Sequence, residues 1–152
     1  MRIDWYKTLP HGYKAMLELQ KIVDRSEIDH KLLELVKIRA SQINGCAHCL
    51  DMHTKDAIAI GEKEQRLHVL AAWRETPFYS AKERAALAWC EALTDISNSG
   101  APDNTYKEVE RLFSPEEIVE LTFAIVAING WNRLAVGFRS DVGNYTSPHK
   151  SI

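Results

Sequence analysis

The sequence predicts an all-α protein that folds as a single-domain helical bundle. No segment sustains the polar–apolar alternation of a strand, and apolar residues recur at helical spacing along most of the chain. Recognisable helix start and stop signals separate these segments. A length of 152 residues suits one domain with its own hydrophobic core.

The first four helices are predicted from their ends and their apolar spacing. We expect them over about 13–24, 29–44, 46–61 and 64–74. The second ends at Asn44-Gly45, which is a strong turn and helix C-cap signal. The third begins almost immediately afterwards, so the two form a helix-turn-helix core.

Two capping boxes mark the starts of later helices, Ser80 with Glu83 and Ser114 with Glu117. The predicted segments that follow are a helix to about 96, a loop over 97–104, a short helix over about 106–113 and a long helix after 114. The long helix is apolar nearly all round from 121 to 128, which places it in the core or in a subunit interface. We predict one domain over 1–152, with its core at about 13–139 and a loose tail at 140–152.

Charge and hydropathy exclude several classes of partner. The net charge is −2 and the basic residues are scattered, so neither nucleic acid nor a membrane surface is an expected partner. The first residues contain no apolar segment of the kind found in signal peptides. The longest uncharged apolar run, 121–132, is shorter than the roughly 20 residues that span a bilayer. We therefore expect a cytoplasmic protein, in which a close cysteine pair is more often catalytic or metal-binding than structural.

The stretch INGCAHCLDMH, residues 43–53, holds the candidate chemistry. Cys46, Cys49 and His53 are spaced i, i+3, i+7, so they share one face of a helix. Cα atoms three apart on a helix are about 5 Å apart, a separation that a disulfide allows. The two cysteines also lie in the first turn, where free N–H groups favour a thiolate. The spacing favours a redox dithiol that reacts with an oxidant and is reset by an external dithiol.

Two other interpretations of these residues stay open. A zinc site needs a fourth ligand, which His48, Cys90 or a carboxylate would have to supply. Alternatively, the thiols are inert and buried. His48 points sideways from the two cysteines and is predicted to lie at the rim or surface, and Cys90 is predicted to be a core thiol.

Glu34 interrupts an apolar helical run. A carboxylate there can be a buried base with a raised pKa. It also belongs to a stripe of polar residues at helical spacing, His30, Glu34, Lys37 and Ser41. Composition alone favours a solvated face for this stripe.

Together these residues resemble a known family. Glu34, eleven further residues and then Cys46-x-x-Cys49-x-x-x-His53 resemble the signature of the alkyl hydroperoxidase D-like (AhpD-like) proteins, in the carboxymuconolactone decarboxylase superfamily. The segments LLELVKIRASQINGCAHCLDMHTKDA, GEKEQRLHVLAAW, FYSAKERAALAWCEALT and AIVAINGWNRLAVGFR are also similar to family segments in the same order. The resemblance covers most of residues 13–139.

The resemblance implies an all-helical fold that assembles into trimers or hexamers, and a peroxidase that works without metal or haem. Cys49 corresponds to the thiol that attacks peroxide, and Cys46 to the thiol that resolves the product into a disulfide. Glu34, His48 and His53 correspond to a proton relay, which reverses the preference for a solvated Glu34. Helix electrostatics alone would favour Cys46 as the more acidic thiol, which is in tension with this assignment.

The expected function is therefore thiol-dependent reduction of hydrogen peroxide or organic hydroperoxides, with no bound cofactor. The family implies an external dithiol reductant, such as a lipoyl group carried by a partner protein. Two alternatives remain: a decarboxylase of the carboxymuconolactone type, which needs no cysteine pair, and a non-enzymatic dithiol sensor or zinc-binding oligomer. An access channel shaped by Trp131 is less expected than a core or interface position for that residue.

Overall fold

A computed structural model describes residues 1–149, and the all-α prediction is confirmed: helices and connecting loops, without a strand, make up this part of the chain. Nine α-helices occur in it, with one 3₁₀ helix between α5 and α6. They are α1 Trp5–Thr8, α2 Pro10–Asp24, α3 His30–Asn44, α4 Ala47–Ala59, α5 Glu64–His68, the 3₁₀ helix Leu70–Glu75, α6 Ala81–Thr94, α7 Ile96–Ser99, α8 Asp103–Leu112 and α9 Pro115–Phe138.

The strongest helix signals in the sequence correspond to observed ends. Asp29 caps α3 by accepting hydrogen bonds from the Lys31 and Leu32 backbone N–H groups. Both predicted capping boxes are present, at the starts of α6 and α9. Helix α2 begins earlier than predicted, because Pro10 occupies its first turn, where a missing N–H is harmless.

The predicted pattern of helices is wrong in three places. The short α1 was not predicted, the loop expected over 97–104 contains the end of α7 and the start of α8, and the helix expected over 64–74 is divided into two. The division falls at Val69 (φ −98°, ψ 5°), which ends α5, and the backbone departs from helical geometry again at Ala72 (φ −114°, ψ 31°). Leu67, Leu70 and Trp73 recur every three residues and pack in one core cluster, and this spacing places them on one face of a 3₁₀ helix.

Helix α3 is the centre of the bundle and packs against α4, α6 and α9. Every residue from 32 to 38 is buried, so all faces of this helix are covered in its middle turns. Helix α9 packs against α2 and α3, yet part of its surface stays exposed. By length and composition α9 is apolar enough to span a membrane, but core helices of soluble proteins pass the same test, so this is weak evidence for one.

A chain of side-chain amides fixes the end of α3 against α9. The half-buried Asn44 side chain donates to the side-chain Oδ1 atoms of the buried Asn129 and Asn132, at 3.0 and 2.8 Å. Asn132 in turn donates to Ser41 Oγ at 3.0 Å, and Asn129 donates to Thr94 Oγ1 on α6. The turn between α3 and α4 is therefore tied to two other helices by satisfied polar groups, which define one arrangement of the core.

The segment after α9 has no helix over 140–149 but makes specific contacts. His48 Nδ1 lies 2.6 Å from the Asp141 carbonyl oxygen, and the Gly143 N–H donates to Asp51 at 3.1 Å. Lys55 donates to the Tyr145 carbonyl at 3.0 Å. Over 141–145 the tail that was expected to be loose is thus bound along α4, and residues 150–152 of that prediction lie outside the described residues.

Candidate active site

A tight turn brings the two halves of the predicted site together. Gly45 ends α3 in the left-handed conformation, at φ 64° and ψ 35°, as its C-cap signal predicts. The Cys46 N–H donates to the Ser41 carbonyl at 2.9 Å, and α4 begins at the next residue. The turn reverses the chain, so that α4 packs back against α3.

The two cysteines of the motif form a disulfide at the start of α4. Their Cα atoms are 5.4 Å apart, close to the separation expected from helical spacing. Cys46 is the N-cap residue, and its Sγ accepts a hydrogen bond from the Cys49 N–H at 3.3 Å. Both are almost completely buried, with 1% and 3% of their surfaces exposed.

Glu34 and His53 meet across the α3–α4 interface. His53 Nδ1 lies 2.9 Å from Glu34 Oε2, and Lys37 Nζ donates to Glu34 Oε1 at 2.7 Å. His53 is one helical turn beyond Cys49 on the same face of α4. The structure thus joins Glu34 of α3 to His53 of α4, one helical turn from Cys49, and the action of this pair on the thiols stays a prediction.

The environment of Glu34 corrects two hypotheses drawn from the residues alone. The polar stripe is not a solvated face, because Glu34, Lys37 and Ser41 are all buried. Burial raises the pKa of Glu34, but its hydrogen bonds and attraction to His53 and Lys37 outweigh this and lower the pKa to about 2. Glu34 is therefore an ionised acceptor at neutral pH, and not a carboxyl with a raised pKa.

His48 lies apart from this pair. Its Nδ1 contacts the carbonyl of Asp141, and its side chain is half-buried at the edge of α4. This is the rim position that the helix geometry predicts. The relay role implied by the resemblance gains no direct contact with Glu34 or His53 among the hydrogen bonds of residues 1–149.

Sequence reasoning missed Asp56 and Tyr145. Asp56 is a buried carboxylate on α4, three residues after His53, and the Tyr145 hydroxyl donates to both of its oxygens at 2.9 and 3.0 Å. One ligand atom from each of Glu34, His53 and Asp56 lies within 4.8 Å of the others. Lys37 and Tyr145 already donate to the two carboxylates, so these contacts account for the cluster without an ion. The spacing of His53 and Asp56 was a signal in the sequence, but nothing local pointed to Tyr145.

The remaining candidates have core roles. Cys90 is fully buried, and burial raises the pKa of its thiol to about 12, which keeps it protonated and unreactive. Trp131 donates from its indole N–H to Gln20 on α2 at 3.0 Å and belongs to an aromatic cluster with Trp5 and Tyr13. Both positions agree with the packing roles favoured from the sequence.

The fold and the site together define a class of protein: an all-helical bundle with a cysteine pair at a helix start and a partly buried carboxylate–imidazole pair one helical turn further along. Residues 10–92 match the model of the carboxymuconolactone decarboxylase family. Over 135 residues the chain is 44% identical to the protein YdfG of Bacillus subtilis, covering 89% of this chain and 92% of that protein. The chain belongs to the carboxymuconolactone decarboxylase family.

Solved structures agree with this assignment. A protein from Agrobacterium tumefaciens, described as a candidate antioxidant defence protein AhpD, is 46% identical. It superposes with a TM-score of 0.91 over 95% of this chain and 99% of that one. The debrominase Bmp8 has a TM-score of 0.81 over 91% of this chain and 74% of its own, but at 22% identity it shares the fold alone.

Proposed function

We propose that the chain is a cysteine-based peroxidase that reduces hydrogen peroxide or organic hydroperoxides. The observation that carries the proposal is the Cys46–Cys49 disulfide at the start of α4, together with the hydrogen-bonded pair Glu34–His53, whose histidine lies one helical turn beyond Cys49. A dithiol that closes without moving the backbone far and a nearby proton acceptor are the two parts that thiol peroxidase chemistry needs.

The first step oxidises Cys49. In the reduced protein His53 accepts the thiol proton, and Glu34, which is ionised, stabilises the resulting imidazolium. The Cys49 thiolate attacks one peroxide oxygen, so that an S–O bond forms and the O–O bond breaks. The departing alkoxide or hydroxide receives a proton from His53 and leaves as alcohol or water, with Cys49 left as a sulfenic acid.

The second step forms the disulfide. The Cys46 sulfur attacks the Cys49 sulfur, hydroxide leaves and takes up the Cys46 proton to form water, and the S–S bond closes. The sum is two thiols plus one hydroperoxide giving a disulfide, an alcohol and water. An external dithiol then reduces the protein disulfide by thiol–disulfide exchange and is itself oxidised to a disulfide.

The hydrogen bond from the Cys49 N–H to Cys46 Sγ helps to determine which cysteine attacks peroxide and which one leaves when the disulfide is reduced. It stabilises negative charge on Cys46, which makes Cys46 the better leaving group when a reductant attacks the disulfide. The reductant then attaches to Cys49. The same contact reconciles an acidic Cys46 with a Cys49 that reacts with peroxide beside His53.

We propose that the reductant is a small or lipoyl-type dithiol and that the protein works as a cytoplasmic homo-oligomer with no resident cofactor. These proposals follow from the resemblance to AhpD-like proteins. Family membership and the Agrobacterium relative support a peroxidase-related role.

The test is consumption of hydrogen peroxide and cumene hydroperoxide by the purified protein with dihydrolipoamide or dithiothreitol as reductant. We expect turnover by the wild type and by Cys90→Ala, which serves as the matched control because Cys90 is outside the site. Cys49→Ser is expected to lose at least about 100-fold, as is usual when a nucleophile is removed. Cys46→Ser is expected to accumulate a Cys49 sulfenic acid, trapped with dimedone and identified by mass spectrometry.

Two results would overturn the proposal. One is a reduced wild-type protein that forms no Cys46–Cys49 disulfide on addition of either peroxide. The other is a Cys49→Ser variant that consumes peroxide at the wild-type rate. A disulfide that forms with peroxide but supports no turnover with any dithiol would instead favour the redox-sensor alternative.

A further inference from the structure

The face of α4 that carries the dithiol has a fourth polar member. Cys46, Cys49, His53 and Asp56 follow one another at i, i+3, i+7 and i+10, so they form one stripe along the helix. Asp56 is buried, although an unpaired buried carboxylate is costly. One of its oxygens lies within 4.8 Å of the ligand atoms of Glu34 and His53. His53 is therefore flanked by two carboxylates, one from α3 and one from its own helix.

The C-terminal segment supplies the partner of Asp56. The Tyr145 hydroxyl donates to both carboxylate oxygens, and burial together with the Asp56 charge raises the pKa of Tyr145, so the phenol keeps its proton. Tyr145 is fixed in turn by the hydrogen bond from Lys55 to its carbonyl. This arrangement holds Asp56 as an oriented acceptor at the edge of the site.

We propose that Asp56, oriented by Tyr145, is a second positioning carboxylate that favours proton transfer from the cysteine thiol to His53. The inference deepens the proposed function, since it rests on His53 as the proton acceptor. When the proton moves, His53 becomes a cation, and a carboxylate anion held next to it stabilises that state. The thiolate is thereby present at lower pH.

Helix geometry decides which effect of the Asp56 charge is larger. At 1.5 Å per residue, Asp56 lies about 4.5 Å along the axis from His53 and about 10 Å from Cys49. Attraction to the imidazolium therefore exceeds repulsion of the thiolate. Among residues 1–149, the other charged or titratable groups in hydrogen-bond contact with this cluster are Glu34 and Lys37 from α3, Lys55 on α4 and Tyr145 from the C-terminal segment.

The competing explanation is that Asp56 only anchors the C-terminal segment. An asparagine at position 56 separates the two roles, because its amide oxygen still accepts from Tyr145 while the charge is gone. Tyr145→Phe makes the opposite change, since it removes the anchoring hydroxyl and leaves the Asp56 charge. The exposed Asp24→Asn on α2 is the matched control for loss of one negative charge.

The experiment measures alkylation of the fully reduced protein by iodoacetamide from pH 5 to pH 10, with mass spectrometry reporting the rate at Cys49. The reaction forms a thioether and releases iodide, and it requires neither peroxide nor a reductant partner. The pH midpoint is thus readable even if the protein reduces no peroxide, which separates failure of this inference from failure of the proposed function.

We expect Asp56→Asn to raise the alkylation midpoint by about one pH unit, equivalent to a roughly tenfold lower thiolate fraction below the midpoint. Tyr145→Phe is expected to shift the midpoint by less than half as much, and Asp24→Asn to leave it unchanged. An unchanged midpoint in Asp56→Asn, or a larger shift in Tyr145→Phe, would show that Asp56 is only an anchor. If Asp56→Asn does not fold, Asp56→Glu is compared with Asp56→Gln. We expect the midpoint of Asp56→Glu, which keeps the charge, to lie close to wild type and below that of Asp56→Gln. Equal midpoints in that pair would also refute the inference.

Discussion

The buried residue Glu34 contributes both to the stability of the fold and to the proposed proton transfer. Its carboxylate accepts hydrogen bonds from Lys37 and His53, and this environment favours the ionised form. The folded-state pKa is about 2, compared with an ordinary value of 4.5. A group with a depressed pKa contributes stability above its unfolded pKa and loses it as the pH falls through the folded one.

We predict that the free energy of unfolding decreases by about 3 kcal/mol between pH 5 and pH 2 on account of Glu34. Glu34→Gln removes this part of the pH dependence and also leaves the buried Lys37 ammonium without its anionic partner, so the variant should be a few kcal/mol less stable at pH 7. Urea denaturation of both proteins at several pH values measures the difference. The exposed Glu110→Gln on α8 is the control. Parallel pH curves for wild type and Glu34→Gln would contradict this account of Glu34.

At this scale, local spacing made half of the candidate site predictable. Cys46, Cys49 and His53 share a helix, so their relative positions follow from helical geometry. The ionised state of Glu34 did not follow, because it depends first on the hydrogen bond with His53 across the α3–α4 interface and then on Lys37 being buried beside it. Tyr145 meets Asp56 across 89 positions of sequence, and no local pattern carries that information.

At the scale of elements, the Gly45 turn determines how α3 and α4 are joined. Its positive φ is unfavourable for residues with a Cβ, although an added Cβ would meet nothing within 4 Å. We predict that Gly45→Ala lowers the free energy of unfolding by about 1 kcal/mol, from backbone strain alone. Gly45→Asn should lose less, because asparagine tolerates this conformation better.

The measurement is chemical denaturation of the reduced proteins, which removes any contribution of the disulfide. Gly137→Ala is the control, since Gly137 lies inside α9 with open space around it and an ordinary helical φ. That variant should be as stable as wild type or more so. A Gly45→Ala protein as stable as wild type would show that the turn is not strained by a side chain.

Element boundaries were predictable where the signal was chemical and local. The capping boxes at Ser80 and Ser114 specify hydrogen bonds within four residues, so they mark helix starts correctly. The predicted helix over 64–74 was wrong because the chain leaves helical geometry at Val69 and Ala72, where Leu67, Leu70 and Trp73 pack into the core at three-residue spacing. Such tertiary packing overrides helix propensity and is not visible in a single segment.

At the scale of the molecule, α9 leaves an apolar stripe uncovered. Val119, Phe123 and Val126 occur at i, i+4 and i+7 and are exposed by 54%, 41% and 52%. From the sequence we predicted that this helix lies in the core or in a subunit interface. Packing in the core accounts for its buried residues but not for the apolar residues of the exposed stripe. We propose that another copy of the chain covers it, in keeping with the trimer or hexamer that the resemblance implies.

We therefore predict that Phe123→Glu dissociates the assembly without unfolding the chain, because a buried unpaired charge opposes association. Sedimentation velocity gives the mass of the species, and circular dichroism reports the helix content. Ile96→Glu, which alters an exposed apolar residue on α7, should leave the assembly intact. A monomeric wild type, or dissociation by Ile96→Glu as well, would argue against this interface.

The burial of the disulfide limits which reactants can contact its sulfur atoms. With 1% and 3% of Cys46 and Cys49 exposed, the sulfurs lie below the surface of the described chain. A rigid partner domain that carries its thiol on a flat surface would collide with the bundle before the sulfur atoms met. A narrow molecule, or a thiol at the end of a long flexible tether, meets no such obstacle. We therefore expect this burial to select reactants by size, so that small oxidants reach the two sulfur atoms and thiols on rigid protein surfaces do not.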